Sequence, residues 1–167
     1  MTTTQQYILN HVDIQNKVRR IAYQIYENNV HEEEIILAGI AKNGYRLAER
    51  LKDTLETISP IKCTLCKVEM NKTAPLGTVK ASLQPEDYQG KSLVLVDDVL
   101  NSGTTLIYGV NHFLDVPLKR FKTAVLVNRN HKKYPVKADF KGISLSTSLS
   151  ERVKVRFGPG GDSAFLE

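Results

Sequence analysis

Apolar positions recur along the chain with two alternating periods. Val18, Ile21, Ala22, Ile25 and Tyr26 follow the i, i+3, i+4, i+7, i+8 spacing of an amphipathic helix, which predicts a helix over about residues 13–28. EIILAGI at 34–40 is a short apolar run with turn residues after it, the pattern of a buried strand. Helical spacing returns at 44–57 through Leu47, Ala48, Leu51 and Leu55, and IKCTLCKV at 61–68 reads as a second strand. SLVLV at 92–96 is a third strand, with a helix after it through Leu106, Val110, Phe113 and Leu114, and TAVLV at 123–127 is a fourth. Short strands are expected at 139–145 and 152–157, before the glycine-rich GPGG at 158–161. Strands alternating with helices indicate an α/β fold with a mainly parallel, twisted sheet flanked by helices. In such sheets ligands bind beyond the carboxyl ends of the strands.

The polar stretch 70–91 contains Pro75, Gly77, Pro85 and Gly90 and is too long for an idle connection. It is expected to be a flexible flap loop or flap-like hairpin. No repeat or composition break marks a boundary, so residues 1–167 are read as a single domain.

Composition narrows the class. The 167 residues are 41% hydrophobic and 25% charged, as in ordinary globular proteins, and no apolar run approaches the ~20 residues of a membrane span. The segment MTTTQQYILN lacks the basic and apolar regions of a secretory signal, so a cytoplasmic location is expected. The excess of 23 Lys and Arg over 18 Asp and Glu gives +5, which favours an anionic partner, either nucleic acid or a phosphorylated small molecule. Cys63 and Cys66 form a lone C-x-x-C. A zinc site needs two further ligands, and residues three apart on a strand face opposite ways, so reduced strand cysteines are expected.

The densest chemistry lies in VLVDDVLNSGTTL, residues 94–106. An apolar strand runs into Asp97 and Asp98, then into Asn101, Ser102, Gly103, Thr104 and Thr105 at a helix start. A small-residue loop entering a helix offers unpaired N–H groups and the positive end of the macrodipole, which together bind phosphate. Adjacent acids can hold a diol or a hydrated magnesium ion. Helix capping by Asp98 and Ser102 is the plainer alternative, but it leaves the second acid and the other loop residues unexplained. After the first strand, Gly39-Ile40-Ala41-Lys42-Asn43-Gly44 has the spacing of a Walker loop, yet Tyr45-Arg46 replaces the Lys-Ser/Thr pair, which disfavours a nucleotide triphosphatase.

Residues 94–106 resemble the phosphoribosyl-diphosphate (PRPP) signature of type I phosphoribosyltransferases: apolar residues, two acids, two apolar residues, one variable position, then Ser-Gly-Thr-Thr. The resemblance implies that family's fold, with a flap loop and a small C-terminal hood. It implies that Asp97 and Asp98 contact the ribose hydroxyls and sit near Mg2+, and that residues 101–105 hold the 5′-phosphate. Ala41, Lys42, Asn43 and Gly44 then occupy the place of the diphosphate loop, with Lys42 beside the leaving group. Many such loops carry a cis non-proline peptide, expected here at Ala41–Lys42.

Residues 124–155 resemble the pyrimidine-operon regulator branch of that family through His131, Pro135, Ala138-Asp139-Phe140, Gly142, Thr147-Ser148 and Ser150-Glu151-Arg152-Val153. That branch implies uracil phosphoribosyltransferase activity, RNA binding and a homo-oligomer. Hypoxanthine-guanine enzymes share weaker versions of the same segments. The chain departs from the branch at Asn101-Ser102-Gly103-Thr104-Thr105 against Tyr-Thr-Gly-Arg-Thr, and at Ala41-Lys42-Asn43-Gly44 against Lys-Thr-Arg-Gly. Glu69-Met70-Asn71-Lys72-Thr73 stands where the acidic and arginine-bearing flap motif is usual, and Ser146 replaces a proline.

The resemblance places Asn128 and Arg129 at the nucleobase, and Asn101 where purine enzymes use an aspartate as proton acceptor. Asparagine cannot act as a general base, and an amide at 128 offers both donor and acceptor to a uracil edge. The expected activity is therefore magnesium-dependent transfer of a ribosyl 5-phosphate group from PRPP to a nucleobase, uracil favoured, with release of diphosphate. The alternatives are an RNA-binding regulator, a catalytically silent PRPP or nucleotide sensor, and a purine enzyme. Basic residues at 131–133, Lys137, Lys141 and Lys154, with Lys17, Arg19 and Arg20 on the first helix, suit RNA, although scattered lysines also form ordinary solvated faces.

Overall fold

The computed structural model describes residues 6–71, 78–129, 131–148 and 150–167. Its elements in chain order are β1 (Gln6–Leu9), α1 (His11–Asn28), β2 (Glu34–Ile40), α2 (Ala41–Ile58), β3 (Lys62–Glu69), β4 (Lys80–Ala81), α3 (Pro85–Tyr88), β5 (Ser92–Leu100), α4 (Thr104–Phe113), β6 (Arg120–Arg129), β7 (Phe140–Leu145), β8 (Val153–Arg156) and β9 (Ser163–Leu166). Each helix and strand expected from periodicity is present, with ends moved by a few residues. Helix α1 begins two residues earlier than expected because Asn10 and Asp13 close a capping box, each side chain taking the other's backbone N–H.

Six strands form one sheet in the order β4-β3-β2-β5-β6-β7, parallel except for β4. From β2 the chain winds outward through α2 to β3, and from β5 it winds the other way through α4 to β6. The order therefore reverses between β2 and β5, and the loops leaving these two strands flank a crevice. Helices α1 and α2 pack with Ile35, Leu37, Val94 and Leu126 on one face. On the other face α4, Tyr88 and Phe113 pack with Ile36, Ala38, Leu95 and Val125. Two buried faces explain why β2 and β5 are continuous apolar runs. Cys63 and Cys66 point into these two separate cores, as their spacing requires, and both are free thiols.

The hood is a second sheet of three antiparallel strands, β1-β9-β8. It is not purely C-terminal, because Tyr7 of β1 pairs with Phe165 of β9. Strands β1 and β9 are four residues each and too short to show a period, so only 152–157 announced the hood in the sequence. Of the flap, β4 pairs with β3 and α3 packs Tyr88 against Phe113, while residues 72–77, with Pro75 and Gly77, lie outside the described residues. Among the described residues, no helix is long and apolar enough to cross a membrane.

Candidate active site

Strand β5 does not stop before the acids. It continues to Leu100, with Asp97 opposite Val125, Val99 opposite Val127 and Leu100 opposite Asn128. Asp97 is therefore a buried strand residue, 3% exposed, and Asp98 is half-buried. Asp97 Oδ1 accepts the backbone N–H of Asp98 at 2.9 Å, and Asp98 Oδ1 accepts that of Val99 at 2.9 Å. These short local bonds fix both carboxylates at the carboxyl end of the sheet.

The loop that follows turns at Gly103, whose φ of +86° suits glycine, and α4 starts at Thr104 with no side-chain cap from Gly103. Ser102 Oγ lies 2.8 Å from Thr104 Oγ1 and accepts the Thr104 N–H at 3.3 Å. Capping thus accounts for Ser102 in part, and α4 keeps other first-turn N–H groups open toward its N-terminal side. Asp97 through Leu106 line a single cleft of about 440 Å³, closed on one side by Val153 of the hood. Both acids and all five expected phosphate-loop residues are in it. Val153 lay in a strand expected from the sequence, but its place in the cleft had no signal there, because it depends on how that strand packs against β5.

Strand β2 runs straight into α2, so Ala41, Lys42, Asn43 and Gly44, expected as a loop, form the first turn of that helix, which also lacks a side-chain cap. No peptide bond among the described residues is cis, contrary to the expectation at Ala41–Lys42; the turn is made instead by Ala41 in the left-handed region at φ +55°. Gly44 is required by close approach. A Cβ there would lie 2.7 Å from the Val96 carbonyl and 3.3 Å from Asp97 Oδ1, so α2 rests directly on the acid-bearing strand. Asn43 Nδ2 donates to Asp98 Oδ2 at 3.1 Å and to the Val155 carbonyl at 2.9 Å. Lys42 is exposed and is not part of the acid cleft. It borders two neighbouring hollows, one shared with Tyr45, Arg46 and Lys67, the other with Asn43, Arg46 and the hood segment 155–158. Arg46, which the sequence marked only as a break in a Walker pattern, borders both hollows and donates to the Phe157 carbonyl at 2.5 Å.

Neither of the two residues expected at the base, Asn128 and Arg129, lines the cleft. Asn128 sits at the carboxyl end of β6, donates to Ser144 Oγ at 3.3 Å, and leaves its buried Oδ1 without a hydrogen-bond partner among the described residues. Arg129 is 7% exposed, does not line the cleft, and is turned to protein oxygens instead. Its Nη1 donates to Asn101 Oδ1 at 3.0 Å, its Nε to Thr147 Oγ1 at 2.9 Å, and its Nη2 to Thr147 Oγ1 and to the carbonyls of Ser148 and Glu151. The Glu151 carboxyl is held below the usual carboxylate range, chiefly by the Ser148 backbone N–H and less by the charge of Arg129. His131, part of the family-like stretch, is hydrogen-bonded to the Thr147 carbonyl and so braces the same segment.

No group of three or more His, Cys, Asp or Glu side chains among the described residues forms a metal cage. Magnesium does not need one, since it binds through one or two carboxylates, substrate oxygens and water. Asp97 and Asp98 on one cleft wall fit that mode. A pair of acids, a helix N-terminus only partly capped and a neighbouring helix start bearing Lys42 and Arg46 can together hold a phosphorylated sugar and its counter-ion.

Comparison with known proteins agrees with this geometry. Residues 4–157 match the family model described as phosphoribosyl transferase domain. The bifunctional protein PyrR of Chloroflexus aurantiacus is 35% identical over 160 residues, covering 91% of this chain and 88% of that protein. PyrR of Streptomyces coelicolor is 34% identical, covering 95% and 88%. Among solved structures, the hypoxanthine phosphoribosyltransferase of Trypanosoma cruzi superposes with a TM-score of 0.76 at 15% identity, covering 96% of this chain and 95% of that one. A hypoxanthine-guanine phosphoribosyltransferase of Bacillus anthracis gives 0.71 at 21%, covering 86% and 84%. At that identity the structures speak for the fold, while the family match and the PyrR relatives speak for the lineage. The chain belongs to the phosphoribosyltransferases of the phosphoribosyl transferase domain family, and within it is similar to the PyrR proteins.

Proposed function

We propose that the protein transfers the ribosyl 5-phosphate group of PRPP to a nucleobase nitrogen, with uracil preferred, and releases diphosphate. The observation that carries this reading is the single 440 Å³ cleft lined by Asp97, Asp98 and the whole 101–105 loop. Its volume lies within the usual range for small-ligand sites. The N-terminus of α4 and the hydroxyls of Ser102, Thr104 and Thr105 hold the 5′-phosphate. Asp97 and Asp98 orient the ribose hydroxyls and hold the magnesium ion with the substrate. When bound, that ion neutralises charge on the departing diphosphate. Diphosphate leaves over the start of α2, where uncapped N–H groups and Lys42 receive it. The C1–O bond breaks as the base nitrogen approaches, so the chain mainly stabilises separated charge and excludes water. Asn128, whose buried Oδ1 at the sheet end has no hydrogen-bond partner among the described residues, supports its role at the base.

The test is a panel of free nucleobases with PRPP and magnesium, following diphosphate release. Uracil-dependent release supports the reading, and no release with any base refutes it.

A second reading, RNA binding, is favoured by one observation. Arg20 of α1 donates to the carbonyls of Lys141 and Gly142, which joins the basic residues of the first helix to those of β7. Arg19 and Lys141 are both exposed. RNA affinity that falls steeply with salt would support this role beside the enzymatic one.

A further inference from the structure

The free edge of the hood is turned toward the start of α2. Arg152 and Glu167 exchange both backbone hydrogen bonds across the β8–β9 ladder, at 3.2 and 2.9 Å. Antiparallel pairs alternate in direction, so Lys154 and Arg156 also turn their backbone groups to β9, and Val155 turns its own outward. Two contacts agree with this register. The Val155 carbonyl accepts from Asn43 at 2.9 Å, and the carbonyl of Phe157, the next outward residue, accepts from Arg46 Nη1 at 2.5 Å. The Val155 N–H belongs to the same edge, where a strand offers its donors to other partners.

The hollow between this edge and α2 is about 530 Å³. Lys42 and Arg46 border it from the helix and Arg156 from the hood, and no Asp or Glu is among the described residues that line it. The hollow on the other side of Arg46 differs, because Glu49 and Glu69 stand there with Lys67. Arg46 is half-buried, and the Phe157 carbonyl anchors one arm of its fork at the rim. A held guanidinium, a second cation and an edge N–H, with no lining carboxylate, suit a densely charged anion. The hollow also lies beside the acid cleft. Val153 closes that cleft, and Val155 enters the hollow two residues on, a step of about 6.7 Å along the strand. A ribose held by Asp97 and Asp98 can therefore carry one anionic group into the hollow while its 5′-phosphate stays in the cleft.

We propose that this hollow receives the diphosphate group, and that Arg46 and the Val155 N–H bind it together with Lys42. The role rests on the reading of the chain as an enzyme acting on PRPP. It makes diphosphate recognition two-sided, shared between the first turns of α2 and the edge of the hood.

Calorimetric titration of the full chain tests this with two probes, inorganic diphosphate with magnesium and ribose 5-phosphate. In Arg46→Met the affinity for diphosphate falls at least about tenfold, while that for ribose 5-phosphate changes by less than about twofold. Arg46→Lys keeps the charge without the planar fork and recovers part of the loss. An arginine that only braced the hood would weaken both probes, since Val153 closes the ribose phosphate cleft, or would weaken neither; either pattern overturns the proposal. In wild type, the Val155 amide resonance of a proton–nitrogen correlation spectrum shifts with diphosphate and stays in place with ribose 5-phosphate. That readout needs no variant, so it decides the matter even if Arg46→Met does not fold, and an unmoved resonance overturns the proposal. If wild type binds ribose 5-phosphate but not diphosphate, only this receptor falls. If it binds neither, the reading of the chain as an enzyme acting on PRPP falls and takes the receptor with it.

Discussion

Asn43 in the first turn of α2 and Asp98 on β5 are joined by a hydrogen bond of 3.1 Å, and the same Asn43 nitrogen reaches the Val155 carbonyl of the hood at 2.9 Å. One amide thus connects the start of α2, the acid on β5 and strand β8. Three segments far apart in sequence meet at one nitrogen.

Asn43→Ala removes both bonds and leaves Asp98 less constrained. Hydrogen bonds to charged groups contribute about 1.5–3 kcal/mol, so turnover is expected to fall roughly ten- to a hundredfold. The melting temperature should drop only slightly, since Asn43 is half-buried. Diphosphate release and thermal unfolding, measured on the same preparation, separate the two effects. Unchanged turnover would mean that the bridge is not used in the reaction.

The two acids are not equivalent. Asp98→Asn keeps the side-chain shape at a half-buried position, so the fold should persist while turnover falls at least about a hundredfold through loss of the carboxylate. Asp97 is 3% exposed and holds the Asp98 N–H, so Asp97→Ala leaves that donor unpaired and should cost about 1–3 kcal/mol of stability as well. Equal stability of the two variants in denaturant melts would contradict this division.

The division could not be read from the sequence. Both acids follow an apolar run, and the strand was expected to end before them at Val96, which would have left both carboxylates solvated. Register with Val125 and Val127 of β6 carries the strand through to Leu100. The central strands, the helices and the 94–106 segment were legible because their signals are local: apolar period, small residues, adjacent acids. The N-terminal strand of the hood, the Asn43 bridge and the Arg129 clamp were not, because each depends on contacts between residues dozens of positions apart.

Glycine substitutions should report on packing more than on ligand binding. Gly103→Val combines φ +86° with a Cβ 2.6 Å from Val136 Cγ1, so it disturbs the 133–136 segment, whose Lys133 and Tyr134 N–H groups hold the Ser102 carbonyl. Gly44→Ala puts a Cβ against the backbone of Val96 and Asp97, which cannot swing aside. Gly90 has φ +74° but open space around it. Chemical denaturation should rank Gly44→Ala well below Gly90→Ala in stability, by at least about 1 kcal/mol, since overpacking typically costs 1–3.

Burial pushes the Cys63 thiol up to about 12 from its ordinary 9.0. The thiolate is the reactive form, so the folded protein at pH 8 should react with iodoacetamide far more slowly than the denatured chain does. The sign for stability follows. The raised value belongs to the folded state, so its contribution is complete below pH 9 and is lost as pH rises from 9 toward 12. Alkaline unfolding should therefore set in later for Cys63→Ala than its stability at neutral pH alone would suggest. Rapid labelling of the native protein at pH 8 would contradict the burial.

Base choice is the last expectation, and it turns on two amides. Asn101 has its oxygen held by Arg129, so it has no proton-accepting group to offer a purine nitrogen. Asn128 keeps a buried Oδ1 at the end of β6 that has no hydrogen-bond partner among the described residues, an acceptor for a ring N–H. A base that satisfies this acceptor gains a bond that a mismatched base leaves unmade, and sites of that kind discriminate strongly. Uracil is expected over hypoxanthine and guanine by at least about tenfold in kcat/KM, or ~1.4 kcal/mol at the transition state. Competition between mixed bases at limiting PRPP gives the ratio directly, and Asn128→Ala should lower it toward unity. A preference for hypoxanthine would overturn the pyrimidine assignment and leave phosphoribosyl transfer itself untouched.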